Sequence, residues 1–166
     1  LSWGFEPARQ FSLVMNFLGG GWFGVFGVPI GVAVLLVLAR RFWGALFFVV
    51  AEALSAAAVQ VLKNLFDRAR PEEIQVISDH GSFPSGHVAN AATITVAMIV
   101  LFPRLWVVIA GAAWVLLMAF SRTYLHAHWL TDTVGGALAG VGATIVVAVV
   151  FSRLLIREER GRGSIG

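Results

Sequence analysis

Cysteine is missing from the 166 residues, lysine occurs once, and charge of either sign is scarce. The missing cysteine excludes disulfides, thiolate nucleophiles and thiolate metal sites together, and it is compatible with either redox compartment. The scarcity of charge says more. Asp, Glu, Lys and Arg make up 13% of the chain, against about 25% in a soluble domain. Hydrophobic residues make up 58%, and the mean hydropathy is +0.85. A disordered chain is excluded, and so is an ordinary water-soluble globule. No long Lys/Arg run accompanies the net charge of +3, so no nucleic-acid partner is expected. No internal repeat is visible, which weighs against an inverted-repeat transporter. No leader with a cleavage site opens the chain; it starts at Leu1, and a removed N-terminal segment is expected.

What is present is patterned. Apolar runs alternate with short polar stretches, and a bilayer span needs about 20 apolar residues. The pattern predicts an all-α integral membrane helical bundle, a single domain over residues 1–166 with five transmembrane helices. These cover about residues 22–39, bent at Pro29, then 42–66, 85–102, 105–123 and 133–151. Residues 1–20 mix Phe and Trp with Glu6, Arg9 and Asn16, and read as an interfacial segment ending in the turn Gly19-Gly20-Gly21. The tail, 153–166, is charged, Gly-rich and read as a frayed cytoplasmic end. Small residues at four-residue spacing, Gly20/Gly24, Gly27/Gly31 and Gly136/Gly140, read as helix-packing positions. Trp3, Trp22, Trp43, Trp106 and Trp129 fit interfacial belts.

The cations sort by side. Arg40, Arg41, Arg104, Arg153, Arg157, Arg160 and Arg162 fall on one face; Arg9, Lys63, Arg68, Arg70 and Arg122 fall on the other. The positive-inside rule places the first group in the cytoplasm and the second outside.

Three polar clusters share that outer side. Lys63 and Arg70, seven residues apart and followed by Pro71, would share a helix face; interfacial snorkelling is the plainer reading. Pro84-Ser85-Gly86-His87 enters the third span, with Ser85 as a candidate N-cap and free amides making an anion site beside His87. Ser121-Arg122 through His128 and Asp132 follows the fourth span. Here a carboxylate four residues on can hold one imidazole nitrogen and present the other. Three cations, a helix start, two histidines and a carboxylate fit phosphoryl transfer, with the cations supplying charge that a metal would otherwise bring. No H-E-x-x-H zinc pattern occurs, and no metal or other cofactor is expected. His126 reads as structural or substrate-contacting, and Asp79 and His80 as loop residues near a headgroup. Glu52, near mid-span, reads as a protonated packing residue, with a contact inside the bundle as the alternative.

In order, K-x6-R-P at Lys63–Pro71, P-S-G-H at Pro84–His87 and S-R-x5-H-x3-D at Ser121–Asp132 resemble the three-part signature of the type 2 phosphatidic-acid phosphatase superfamily. The resemblance covers about residues 60–133. It implies that His128 is the nucleophile forming a phosphohistidine, that Asp132 orients it, and that His87 is general acid and then base. Lys63, Arg70, Ser85, Gly86 and Arg122 would hold the phosphate. It further implies a metal-independent bacterial inner-membrane enzyme acting on lipid phosphates or diphosphates at the periplasmic or exterior face. Bacterial members similar to this chain usually have six spans, so a lost first span or an interfacial helix over 1–18 would reconcile the counts. The rival readings are an intramembrane serine protease using Ser85, and a non-catalytic phospholipid binder or transporter. Soluble vanadate-dependent haloperoxidases share the signature but not this hydropathy. Oligomeric state is not legible.

Overall fold

In the computed structural model, residues 5–77 and 80–163 are described. Trp3, Asp79 and residues 164–166 lie outside them. The described chain is all-helical. Helix α1 (Glu6–Gly19) opens with Pro in its first turn and Glu6 against the positive end of its dipole. Ser12, Met15 and Gly19 form its buried face, turned toward α5. Gly20 is extended and Gly21 has φ +57, a left-handed conformation that suits glycine. A π-helical turn (Phe23–Gly27) follows and runs into α2 (Val28–Leu38). The bend of 50° therefore falls at Gly20–Trp22, not at Pro29, which sits just after the π turn in a stretch that stays helical from Phe23 to Leu38.

Helix α3 (Phe42–Phe66) ends at Asp67 in the left-handed conformation. Helices α4 (Gly86–Leu101), α5 (Leu105–Tyr124) and α6 (Leu130–Gly163) complete the bundle. Three helices, α3, α5 and α6, have the length and apolarity of a span, and the bent pair α1 with α2 makes a fourth if it crosses as one. Helix α4 has only 16 residues, about 24 Å of rise against a hydrocarbon core of about 30 Å. Among the described residues, then, three or four helices have the length of a span, and the expected count of five is not confirmed. The short helix is instead the central one, packed against α3, α5 and α6, with Val88, Ala89, Ala91, Ala92, Thr93 and Ala97 buried.

Close approach of α4 and α6 is set by two glycines. A Cβ on Gly136 would lie 2.4 Å from the Ser85 carbonyl oxygen, and one on Gly140 would lie 2.3 Å from that of Ala89. Gly24, of the expected pair Gly20/Gly24, faces the Gly19 backbone at 2.3 Å, whereas in the pair Gly27/Gly31 a Cβ on Gly27 would have as its nearest neighbour Phe23, four residues earlier, and one on Gly31 would meet nothing within 4 Å. One buried cluster joins Phe47, Phe48 and Ala51 of α3 to Leu36, Ala97, Leu101 and Val147. A second, Met15, Val88, Ala91 and Met118, lies on the α1–α4–α5 side. The bundle exterior is apolar, with Leu105, Leu138 and Val150 largely exposed, as a lipid-facing surface requires.

The tail is not frayed over its described length. Glu158 accepts hydrogen bonds from the Trp43 and Gly44 amides at 2.7 and 3.0 Å, which are orphan donors at the start of α3. Arg41 pairs with Glu159 at 2.9 Å, and Arg162 Nη1 reaches the Ala39 carbonyl at 2.5 Å. These bonds continue α6 to Gly163.

Candidate active site

At the end of the bundle away from this tail, the end of α3, the start of α4, the α5–α6 turn and the polar loop after α3 meet. Helix α5 stops because Leu125 and His126 leave the helical conformation, His126 with φ 52. The chain then folds back, Ala127 and His128 both donating to the Arg122 carbonyl. This turn buries His128 at 4% exposure and sets it in the cavity lining.

The His128 Nδ1 lies 2.6 Å from the Ser82 carbonyl oxygen. A carbonyl only accepts, so Nδ1 carries the proton and Nε2 keeps its lone pair. That Nε2 stands 3.4 Å from Arg70 Nη1, which also donates to the Ala127 carbonyl at 2.7 Å. Burial pushes the imidazole from 6.5 down to about 2, helped by the charges of Arg122, Arg70 and, least, Lys63, and opposed by the Ser82 bond. The ring is therefore neutral, a nucleophile's state, and the same three cations that depress it are gathered around it.

Asp132 does not hold this ring in the way its spacing implied. Its Oδ2 is 3.8 Å from Nδ1, beyond hydrogen-bond reach. The fully buried carboxylate instead accepts from Arg68 Nη1 at 2.7 Å and from the Trp129 amide at 2.8 Å. Arg68 also reaches Thr131 Oγ1 and lies over the Trp129 ring. The Asp132 carbonyl accepts from the Ser85 amide at 2.9 Å, tying the α6 start to the α4 start. Asp132 thus secures the turn that carries His128, with Arg68 as partner. Neither Arg68 nor the Ser82 carbonyl was assigned a role from sequence; a backbone acceptor leaves no side-chain signal, and Arg68 was hidden beside Arg70.

His87, in the first turn of α4, has Nε2 3.3 Å from the Asn16 carbonyl oxygen, so Nε2 carries a proton facing α1. Asn16 Oδ1 also accepts from Arg122, whose side chain is 1% exposed. The glycine break after α1 makes room for this ring: a Cβ on Gly20 would lie 1.9 Å from His87 Nε2. Asn16 and Gly20, in a segment read only as interfacial, are therefore part of the site. Lys63, 3% exposed, donates to the His80 and Gly81 carbonyls at 3.2 and 3.0 Å.

Lys63, Arg70, Gly86, His87, Arg122 and His128 all line one cavity of about 620 Å³. Ser85 takes the N-cap position with extended backbone but forms no capping bond, and its buried hydroxyl has no partner among the described residues. A serine nucleophile needs a base within reach, so the protease reading loses its basis. His80 pairs with Asp67 at 2.8 Å on the surface, each about two-thirds exposed. Among the described residues, no three His, Asp or Glu side chains gather as a metal-holding group.

A profile of the PAP2 superfamily matches residues 44–155. The chain is 32% identical over 120 residues to lipid A 1-phosphatase of Rhizobium johnstonii, covering 65% of this chain and 47% of that protein. It is 30% identical over 135 residues to lipid A 4'-phosphatase of Bacteroides thetaiotaomicron, covering 70% and 60%. It thus spans about half the length of the curated relatives it matches. In fold it is similar to the transmembrane PAP2-type phosphatidylglycerolphosphate phosphatase of Bacillus subtilis. There the TM-score is 0.79 and the identity 24%, over 90% of this chain and 79% of that one.

Proposed function

The chain belongs to the PAP2 superfamily, and from that premise we propose that it hydrolyses lipid phosphates or diphosphates through a phosphohistidine on His128. The observation that carries the reading is the fixed His128 tautomer, Nδ1–H bonded to Ser82 and Nε2 beside Arg70 at the cavity wall. In the first step Nε2 attacks phosphorus and the bond to the lipid oxygen breaks. His87, entering the step as imidazolium, gives that oxygen a proton and is left neutral. Lys63, Arg70 and Arg122, with the amides at the start of α4, offset the charge on the three phosphoryl oxygens. In the second step His87 takes a proton from water, the water oxygen attacks phosphorus, and the P–N bond breaks to release inorganic phosphate and neutral His128. Asp132 and Arg68 keep the turn in place throughout. Ser85 supplies the bend that presents the Gly86 amide and a hydroxyl for a phosphoryl oxygen.

The protein is read as a multi-pass bacterial inner-membrane enzyme whose site faces the periplasm or exterior. What supports this is the seven arginines assigned to the end opposite the site. The test is phosphate release from detergent-solubilised lipid phosphates in excess EDTA. Activity is expected to persist with chelator and to fall by at least 1,000-fold, on the order of 4 kcal/mol, in His128→Ala. Chelator-sensitive turnover, or an active His128→Ala, overturns the reading.

A further inference from the structure

The site cavity does not end at the phosphate-binding side chains. It continues along α3 past Gln60, Val59 and Ala56 to Glu52. These positions fall at helical spacing on the stripe that carries Lys63, with small residues at Ala53 and Ala56 leaving the groove open. Eleven residues separate Glu52 from Lys63, about 16 Å of rise, so one lipid molecule can lie against both.

The polar groups beside Glu52 are engaged within the protein. Ser55 accepts from Thr93 at 2.8 Å, and Asn90 donates to the Gly24 carbonyl at 2.9 Å. Glu52 differs. Its Oε1 is buried and has no hydrogen-bond partner among the described residues, and the residue is part of the cavity lining. A buried carboxyl oxygen without a partner costs free energy that a ligand group can return. The lining residues that follow Glu52 on α3, Ala53, Ser55 and Ala56, carry no charge, so the group it receives is neutral. A prenyl chain offers only C–H here. An acylated lipid offers the carbonyl of its ester or amide linkage, to which a carboxylic acid donates.

We propose that Glu52 is a specificity-determining residue that hydrogen-bonds an acyl carbonyl of the substrate, so that acylated lipid phosphates are favoured over prenyl phosphates and over ether-linked analogues. This rests on the reading of the cavity as a lipid-phosphate site. The depth of Glu52 suits a lipid whose carbonyls are set back from the reacting phosphate by a spacer. Phosphatidylglycerol phosphate has one, a glycerol and a phosphodiester.

The experiment compares initial rates on diacyl phosphatidylglycerol phosphate, its dialkyl ether analogue and a polyprenyl monophosphate, in one detergent, for wild type, Glu52→Leu and Glu52→Gln. Wild type is expected to show kcat/KM about tenfold higher on the diester than on the diether, chiefly through KM; one hydrogen bond has about that worth. Glu52→Leu brings the diester down to the diether and leaves the polyprenyl rate within about twofold. Glu52→Gln, which keeps an N–H donor, retains the diester preference. Equal wild-type turnover of diester and diether overturns the proposal without any variant, as does a Glu52→Leu loss shared equally by all three lipids. A wild type inert on all three overturns the lipid-phosphatase reading itself.

Discussion

His128 is neutral at any pH where lipids are handled, and this has a consequence for stability as well as for catalysis. Its folded-state value, lowered to about 2, lies below the 6.5 of the unfolded chain. Below pH 6.5 the unfolded chain binds a proton that the folded chain refuses, so stability falls as pH falls, by up to about 1.4 kcal/mol per unit. His128→Asn keeps an N–H for the Ser82 carbonyl and removes the titration. Its unfolding midpoint is expected to change less steeply between pH 6.5 and 4.5 than that of wild type, and equal slopes would refute the neutral buried ring. The second residue-scale prediction separates a direct dyad from a secured turn. If Asp132 acts through the turn, Arg68→Ala lowers kcat by about tenfold, roughly 1.4 kcal/mol, with a smaller change in KM. The double variant with Asp132→Asn is then little worse than Asp132→Asn alone, because neighbours sharing one interaction are not additive. Additive losses would instead place Asp132 on the ring independently of Arg68. At this scale the side chains that converge on the cavity were legible as spaced motifs. Their partners were not: Ser82 contributes a carbonyl, and Asn16 comes from 106 residues away to meet Arg122.

The elements owe their arrangement to small residues more than to polar contacts, and two nearby glycines of α6 test this. Gly140 faces the Ala89 carbonyl, where an added methyl at 2.3 Å would push α4 and α6 apart; Gly142 has nothing within 4 Å. Gly140→Ala is expected to lose about 1–3 kcal/mol, as overpacking does, and to lower activity because α4 carries His87. Gly142→Ala is expected to be neutral or stabilising by up to about 1 kcal/mol, the helix-propensity difference. Thermal unfolding in detergent measures both, and an identical response would remove the packing argument. The Gly136/Gly140 spacing announced this contact from the sequence, and the hydropathy runs located α3, α5 and most of α6. The run Gly19-Gly20-Gly21 marked the break after α1, but periodicity could not show the π turn at Phe23–Gly27, since a π turn and an α-helix share the same apolar composition there. Nor could it show that α6 continues through Arg153–Arg162. That continuation depends on Glu158 capping α3 across 115 residues of chain, and local polarity alone reads as a loose end.

As a whole the molecule is polarised end to end. The tail end holds Arg40, Arg41, Arg104 and the arginines of late α6, with Arg41 and Arg162 bonded to Glu159, Leu101 and Ala39. The site end holds Lys63, Arg68, Arg70 and Arg122, nearly all committed to carbonyls, Asp132 or Asn16 around the cavity. Charge that is satisfied inside a site contributes little to orientation, whereas the tail-end arginines are numerous and mostly at the surface. Insertion should therefore follow the tail end, leaving it cytoplasmic. Because the chain has no cysteine, one introduced thiol reports its own side without background. Glu72→Cys, on the exposed loop beside the site, is expected to react with a membrane-impermeant maleimide on intact spheroplasts. Gly161→Cys, exposed near the end of α6 with open space around its Cα, is expected to react only after the membrane is permeabilised. The reverse pattern would place the site in the cytoplasm, where it would meet only the lipid phosphates of the inner leaflet, while leaving the chemistry at His128 unchanged.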